Sequence, residues 1–234
     1  MGTVVDFHTH ILPRMDDGSR SAECSLEMLR MEAEQGIERV VLTPHFYANH
    51  DSPRSFLERR NRSEEALRGA IKDIKCPQLL VGAEVHYFEG MSDSEYLAEL
   101  AVQGTNCILV ELPMGHWDER LLLELGSIYP KHKIYPVVAH LDRYTGFFHT
   151  EEIFEEISRL PVKIQANAGF FTRRFSRKKA LKLLANGKIH LLGSDCHNNK
   201  VRVPNLGTAL NIIERELGES AVRYINSNEK QIGL

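Results

Sequence analysis

Cysteine is scarce in this 234-residue sequence: Cys24, Cys76, Cys107 and Cys196 stand far apart, and no C-x2-C pair occurs. That spacing argues against a thiolate zinc site and a disulfide frame, and it points to reduced thiols in a cytoplasmic protein. Long apolar runs are missing as well. No stretch approaches the roughly 20 residues needed to cross a bilayer, and Asp6 with its polar neighbours interrupts any signal-peptide pattern at the N-terminus. Basic charge is not in excess, since 29 Lys and Arg face 32 Asp and Glu for a net charge of −3. The electrostatic case for a nucleic-acid partner is correspondingly weak. The one basic block, RRFSRKK at 173–179, reads as a solvated helix start. Repeats, low-complexity tracts and linker-like stretches are absent, so residues 1–234 are expected to form a single domain.

What is present is an alternation. Hydrophobic content of 42% with 26% charged residues suits a chain that buries a sizeable core. Seven short β-rich runs appear in order: TVVDFH, ERVVLTPH, PQLLVGAEV, NCILVELP, KIYPVVAH, VKIQANA and IHLLGSD. Helical patterns separate them. One begins near Ser21 with Leu26, Leu29, Ala33 and Ile37 at spacings of three and four, and Gly36 lies where a helix stop belongs. Others are ERRNRSEEALRGAIKDI, DERLLLELGSIY, EEIFEEISRL and SRKKALKLLANG, and a last one carries Leu206, Leu210, Ile213 and Leu217. Continuous apolar strands alternating with helices indicate an α/β fold with a helix-covered parallel sheet.

The polar residues choose between an open sheet and a barrel. His8 and His10 end the first run, and His45 ends the second. Glu84, Glu111 and His140 end the third, fourth and fifth, and Asp195 and His197 end the last. Asp17, in the DDG turn after the first run, is a ninth candidate. Any one of these alone reads as a loop residue or a cap. Taken together, they lie at the carboxyl ends of parallel strands, which in a barrel ring a single mouth where active sites are built. Five imidazoles and four carboxylates without sulfur suit Mn, Fe, Co or Zn, and nine ligands are sensible for two or three ions. With three divalent ions the set carries a surplus of positive charge. Arg143, three residues past His140, and Arg202, five past His197, add to it at the rim. Such a mouth favours a phosphate dianion, which arginine can grip bidentately. His86, two residues beyond Glu84, is a candidate for supporting work, and Tyr87, Trp117 and Phe147 for shaping the pocket. His50, His116, His132, His149 and His190 are expected to lie in loops or at strand starts and not to be ligands.

The ordered motifs HTH, DDGxxS, TPH, GAE, VELP, AHxxRY and SDCHN resemble those of the polymerase-and-histidinol-phosphatase superfamily. Within it they are similar to the manganese-dependent protein-tyrosine phosphatases of bacterial capsule and exopolysaccharide loci. The resemblance implies a distorted (β/α)7 barrel, like a TIM barrel, with a trinuclear metal centre at the carboxyl ends of its strands. It implies that His8, His10, Glu84 and Asp195 hold one ion and that Glu84 bridges to a second, shared with Glu111 and His140. Asp17, His45 and His197 would hold the third, and Arg143 and Arg202 match the phosphate-gripping arginines. The implied reaction is metal-assisted hydrolysis of a phosphomonoester, most simply phosphotyrosine on the tail of a bacterial tyrosine kinase. A small phosphorylated metabolite such as histidinol phosphate is the alternative substrate, and a non-catalytic metal-binding docking module is the alternative from another class. No cysteine nucleophile is expected. One departure stands out: Phe46 and Tyr47 follow His45, where relatives carry basic or histidine residues, and this aromatic pair could stack on a phosphotyrosine ring.

Overall fold

A computed structural model describes residues 4–72, 75–115, 117–145 and 155–234. All strand pairings are parallel. In chain order the strands are β1 (Val5–Thr9), β2 (Arg39–Leu42), β3 (His45–Phe46), β4 (Gln78–Val81), β5 (Glu84–His86), β6 (Cys107–Glu111), β7 (Tyr135–Val138), β8 (Lys163–Asn167) and β9 (Leu191–Gly193). The runs ERVVLTPH and PQLLVGAEV are each split in two. Thr43–Pro44 and Gly82–Ala83 interrupt them, and proline cannot donate to a ladder. One sheet runs β1-β2-β4 and the other β3-β5-β6-β7-β8-β9. The sheets curl towards each other where Asp195 N–H donates to His8 O, His10 N–H donates to Cys196 O, and Thr9 forms a parallel bridge with Cys196.

Successive strand residues enter two different cores. Val40 and Leu42 pack in the larger one with Met28 and Leu29 from the first helix, whereas Val41 joins Val5, Phe7, Leu109, Val137 and Leu191 in the smaller. That alternation is the period of two expected of strands with both faces covered. β1 departs from it. Phe7 packs in the smaller core, yet the adjacent His8 also reaches Glu84. A register shift between Asp6 and Thr9 in the pairing with β2 allows both, and irregularities of this kind re-aim side chains beside active sites.

The longer helices are α1 (Ala22–Glu34), α2 (Pro53–Ala70) and α4 (Glu119–His132), with the short α3 (Leu97–Leu100) and α5 (Leu141–Tyr144) between or after them. Then follow α6 (Ala168–Thr172), α7 (Arg177–Ala185), α8 (Leu206–Leu217) and α9 (Glu219–Gln231). Ser21, Ser52 and Asp118 cap α1, α2 and α4 through side-chain oxygens that accept backbone N–H groups. Gly36 follows α1 at φ +78°, the left-handed geometry that glycine adopts without penalty. The buried face of α1 differs from expectation. Ser25, Met28, Leu29 and Glu32 are buried, while Leu26 and Ala33 are only partly so. The reason is polar: Ser25 Oγ donates to Ile11 O at 2.6 Å, and Glu32 accepts from the Cys196 thiol. Helix α9 is not anticipated, because only Ile225 among its buried residues is apolar. The expected EEIFEEISRL helix begins outside the described residues, as do Phe147, His116 and His149.

Candidate metal centre

The nine candidate ligands lie at or near the ends of the apolar runs, with His45 and Glu84 opening the short continuation strands β3 and β5, and their donor atoms converge. His10, Asp17, His45 and His197 form one group, and His8, His10 and Asp195 another. His8, Glu84 and His140 form a third, and His45, Glu84 and Glu111 a fourth, with donor atoms within 4.8 Å in each. A metal–ligand length of about 2.1 Å implies ligand–ligand edges of about 3.0–3.4 Å. The observed separations include 3.1 Å for His8–Glu84, 3.3 Å for His10–Glu84, 3.1 Å for His45–Glu84, 3.5 Å for His10–Asp195 and 3.3 Å for His197–Asp17. Glu84 is central to these contacts, fully buried and also within reach of His140 Nε2 at 2.5 Å.

The histidine tautomers explain why the centre fits cations. His10 Nδ1 lies 2.7 Å from Asp16 Oδ2, His140 Nδ1 3.2 Å from Asn167 Oδ1, His197 Nδ1 3.0 Å from Asp195 O, and His8 Nδ1 3.4 Å from Gln165 Oε1. Each oxygen accepts a hydrogen bond from an Nδ1–H and so favours the tautomer with Nε2 as a lone pair, the arrangement typical of metal-bound histidine. His8 Nε2 and His10 Nε2 then face each other at 3.1 Å. Two lone pairs so placed repel unless a proton or a metal cation stands between them. His197 Nε2, His45 Nδ1 and Asp195 Oδ1 are buried without a hydrogen-bond partner, and a coordination bond would satisfy each. Burial works against the charge on Glu84 and Asp195. Positive charge on the protonated histidines around them outweighs it and holds both carboxyls well below the usual carboxylate range, a role a bound cation would take over once the histidines are neutral ligands.

Backbone geometry delivers two of these residues at a cost. His140 at φ +53° and Asp195 at φ +54° are non-glycine residues in the left-handed region, as are Arg14 and Lys133 elsewhere, and each costs about 1 kcal/mol or more to hold there. Tyr144 pins the β6 exit by donating to Leu112 O at 2.9 Å and accepting Leu112 N–H at 3.0 Å, next to Glu111. Gly193 gives His8 room, since a Cβ there would meet the His8 main-chain nitrogen at 2.8 Å.

Arg143 and Arg202 stand at the mouth, each partly exposed. Arg143 spans Glu111 at 2.8 Å and Asp195 at 3.2 Å, and Arg202 reaches Asp195 at 2.9 Å and Asp17 at 3.8 Å. His86 lies 3.3 Å from Glu111 Oε2. Phe46 and Tyr47 separate in role. Phe46 is buried against Phe56 and Phe88, so it presents no ring at the mouth. Tyr47 lies 5.3 Å from His45 and 5.4 Å from His86, centroid to centroid. It lines a cavity of about 330 Å³ with His45, Asp16, Asp17 and Arg59. Of the histidines set aside, His132 ends α4 instead of lying in a loop, and it contacts Ser92 O at 2.8 Å. His190 accepts Ile164 N–H, and His50 occupies the turn after Tyr47. Trp117 packs edge-on against Tyr144, and the Tyr87 hydroxyl donates to Glu124.

Sequence reasoning missed Asp16, Gln165 and Asn167, which orient ligands instead of serving as them. Asp16 also accepts His45 N–H at 2.9 Å, and Asn167 donates to Asp195 Oδ2 at 3.0 Å. The available signals were the doubled aspartate of DDG and the amides at the exit of QAN, the one run without a His, Asp or Glu at its end. The expectation of no cysteine nucleophile passed over a fact of the sequence. The C-x5-R spacing of cysteine-dependent phosphatases occurs twice, at Cys24–Arg30 and Cys196–Arg202. Geometry excludes both as phosphate loops. Cys24 to Arg30 is continuous α1 helix, and Cys196 is fully buried with its sulfur 3.8 Å from Glu32 and its thiol pKa pushed well up by burial.

The comparisons agree with this geometry. The tyrosine-protein phosphatase YwqE of Bacillus subtilis (strain 168) is 28% identical over 96% of this chain and 89% of its own length. The tyrosine-protein phosphatase CpsB of Streptococcus agalactiae is 27% identical over 95% of this chain and 94% of its own. Among solved structures, the metal-dependent tyrosine phosphatases YwqE from Bacillus subtilis and CpsB from Streptococcus pneumoniae provide a match with a TM-score of 0.81. It has 24% identity and covers 98% of this chain and 94% of that one. The histidinol phosphate phosphatase of Lactococcus lactis shares the fold more distantly, with a TM-score of 0.55 at 16% identity over 91% of this chain and 93% of that one. The model of the capsular polysaccharide synthesis family CpsB/CapC matches residues 4–232, and the chain belongs to that family.

Proposed function

We propose that this chain is a metal-dependent protein-tyrosine phosphatase, hydrolysing phosphotyrosine on a protein and most simply on the tail of a capsule-locus tyrosine kinase. The observation that carries the proposal is the facing pair His8 Nε2 and His10 Nε2 at 3.1 Å, each imidazole anchored through Nδ1. The proposed ligand sets are His8, His10, Glu84 and Asp195; Glu84, Glu111 and His140; and Asp17, His45 and His197, for three divalent ions with manganese first. Bound there, the ions would supply a water acidified to near neutrality and positive charge for the phosphoryl group. The chain's own residues do the rest. Arg143 and Arg202 swing from their carboxylate partners to the phosphoryl oxygens, offering guanidinium forks at the position where charge builds. His86 steadies Glu111, Asp16 and Asn167 fix the rings of His10 and His140, and Tyr47 offers a face to the aromatic leaving group.

The same proposal takes the seven runs as a closed, distorted (β/α)7 barrel forming one domain over 1–234, supported by the junction of β9 with β1 at His8 and Asp195. No described helix is long and apolar enough to cross a membrane. Four unpaired cysteines support a cytoplasmic location. The test is turnover of a phosphotyrosine peptide, p-nitrophenyl phosphate and histidinol phosphate by the manganese-loaded protein, with Glu84→Gln alongside. The expected result is preference for the peptide and loss of at least about 100-fold in kcat for the variant. Full activity of Glu84→Gln, or preference for histidinol phosphate, would overturn the proposal.

A further inference from the structure

Charge is distributed unevenly along this acidic chain. Between Glu156 and Asp195 there are nine Lys and Arg and no Asp or Glu. Elsewhere surface cations are commonly paired, as in Arg68–Glu64, Lys131–Asp93 and Arg223–Glu219. Within the acid-free stretch, the exposed Arg173, Arg174 and Lys178 make no side-chain hydrogen bond or ion pair among the described residues. Phe175 stands among them 86% exposed, and Val201 across from them is 85% exposed. These are the two most exposed large apolar side chains described.

The patch is joined to the metal centre. A cavity of about 120 Å³ is lined by Arg173 and Val201 together with Asn167, Asp142, Asp195 and Arg202. Arg202 thus borders both the proposed phosphate position and the patch. This cavity gives a chain whose phosphorylated side chain enters the mouth one path out of it.

We propose, resting on the phosphatase reading, that this face docks the substrate's main chain beside the phosphotyrosine and selects acidic residues flanked by an apolar one. Arg173, Arg174 and Lys178 meet the carboxylates, and Phe175 with Val201 meets the apolar side chain. A concave link to the reaction centre suits an extended peptide better than a flat bilayer, which would engage the exposed ring without entering the cavity.

The experiment uses manganese-loaded protein and phosphotyrosine peptides identical except for three flanking Glu, Gln or Lys residues, with p-nitrophenyl phosphate as a substrate that has no flank. The expected result is kcat/KM about tenfold higher for the Glu peptide than for the Gln peptide at low salt, carried by KM and fading at high salt. The combined variant Arg173→Glu, Arg174→Glu, Lys178→Glu should erase that advantage while leaving p-nitrophenyl phosphate turnover unchanged. Equal kcat/KM for Glu and Gln peptides would overturn the docking proposal alone. So would binding of the wild-type protein to phosphatidylglycerol vesicles that the triple variant loses without any change in peptide preference. Failure on every phosphate ester would instead overturn the phosphatase reading. Fluorescence anisotropy of the same peptides then still reads docking independently of turnover. If the triple variant fails to fold, the wild-type flank and salt dependence decides.

Discussion

His10 is held by two kinds of contact that a substitution can separate. Its Nε2 points into the cluster, and its Nδ1 donates to Asp16, whose carboxylate is further fixed by the N–H groups of Gly18 and His45. Asp16 therefore orients His10 and the His45 backbone. Asp16→Asn keeps the shape and removes the charge that favours the correct tautomer, so manganese affinity is expected to fall about 10- to 100-fold. Isothermal titration of metal-stripped protein measures it directly. Activity should return at saturating manganese, which a merely misfolded variant would not show. An unchanged affinity would mean that Asp16 serves only the loop. At this scale the ligand types were legible in the sequence because strand exits concentrate them. The orienting residues were not, because Asp16, Gln165 and Asn167 act through other side chains and leave no periodic trace.

The junction of β1 with β9 is the element on which the centre depends. Gly193 abuts His8, and a methyl group there collides with both its backbone nitrogen and its Cβ. Gly193→Ala is expected to destabilise the fold by about 1–3 kcal/mol and to weaken metal binding by moving His8. Gly69→Ala on α2 is the control, because a Cβ there meets nothing within 4 Å and should stabilise by about 0.5–1 kcal/mol. Urea denaturation of both variants checks the pair, and equal stability of the two would contradict the crowded junction. Helix α9 carries a different test. Burial lifts the Glu229 carboxyl from 4.5 to about 8, with Arg39 pulling the other way. The folded state therefore prefers the protonated acid. Its contribution is fully present below the ordinary carboxylate pKa and is lost as pH rises through about 8. Glu229→Gln should match the wild type in unfolding free energy near pH 4 and exceed it increasingly up to about pH 8, by at most about 1.4 kcal/mol per pH unit. A pH-independent difference would contradict this. Elements with continuous apolar runs were readable in advance, whereas α9 was not, because Asn228 and Glu229 occupy its buried face. The face of α1 was misjudged for the same reason, since Glu32 turns inward to Asp6 and Cys196.

Across the whole molecule, the sheet's curl gathers side chains from His8 to His197 into one mouth, and the charge distribution sets a basic face beside it. The convergence was legible as a pattern of strand exits. The adjacency of Arg173 and Arg202 was not, because only the folded chain brings the two to one cavity. The central claim is that the nine imidazoles and carboxylates hold divalent ions on which hydrolysis depends. Anomalous diffraction from crystals loaded with manganese tests it most directly. Three peaks are expected, one among His8, His10, Glu84 and Asp195, one among Glu84, Glu111 and His140, and one among Asp17, His45 and His197. An active enzyme whose manganese peaks lie away from these side chains, or which shows none, would contradict the account.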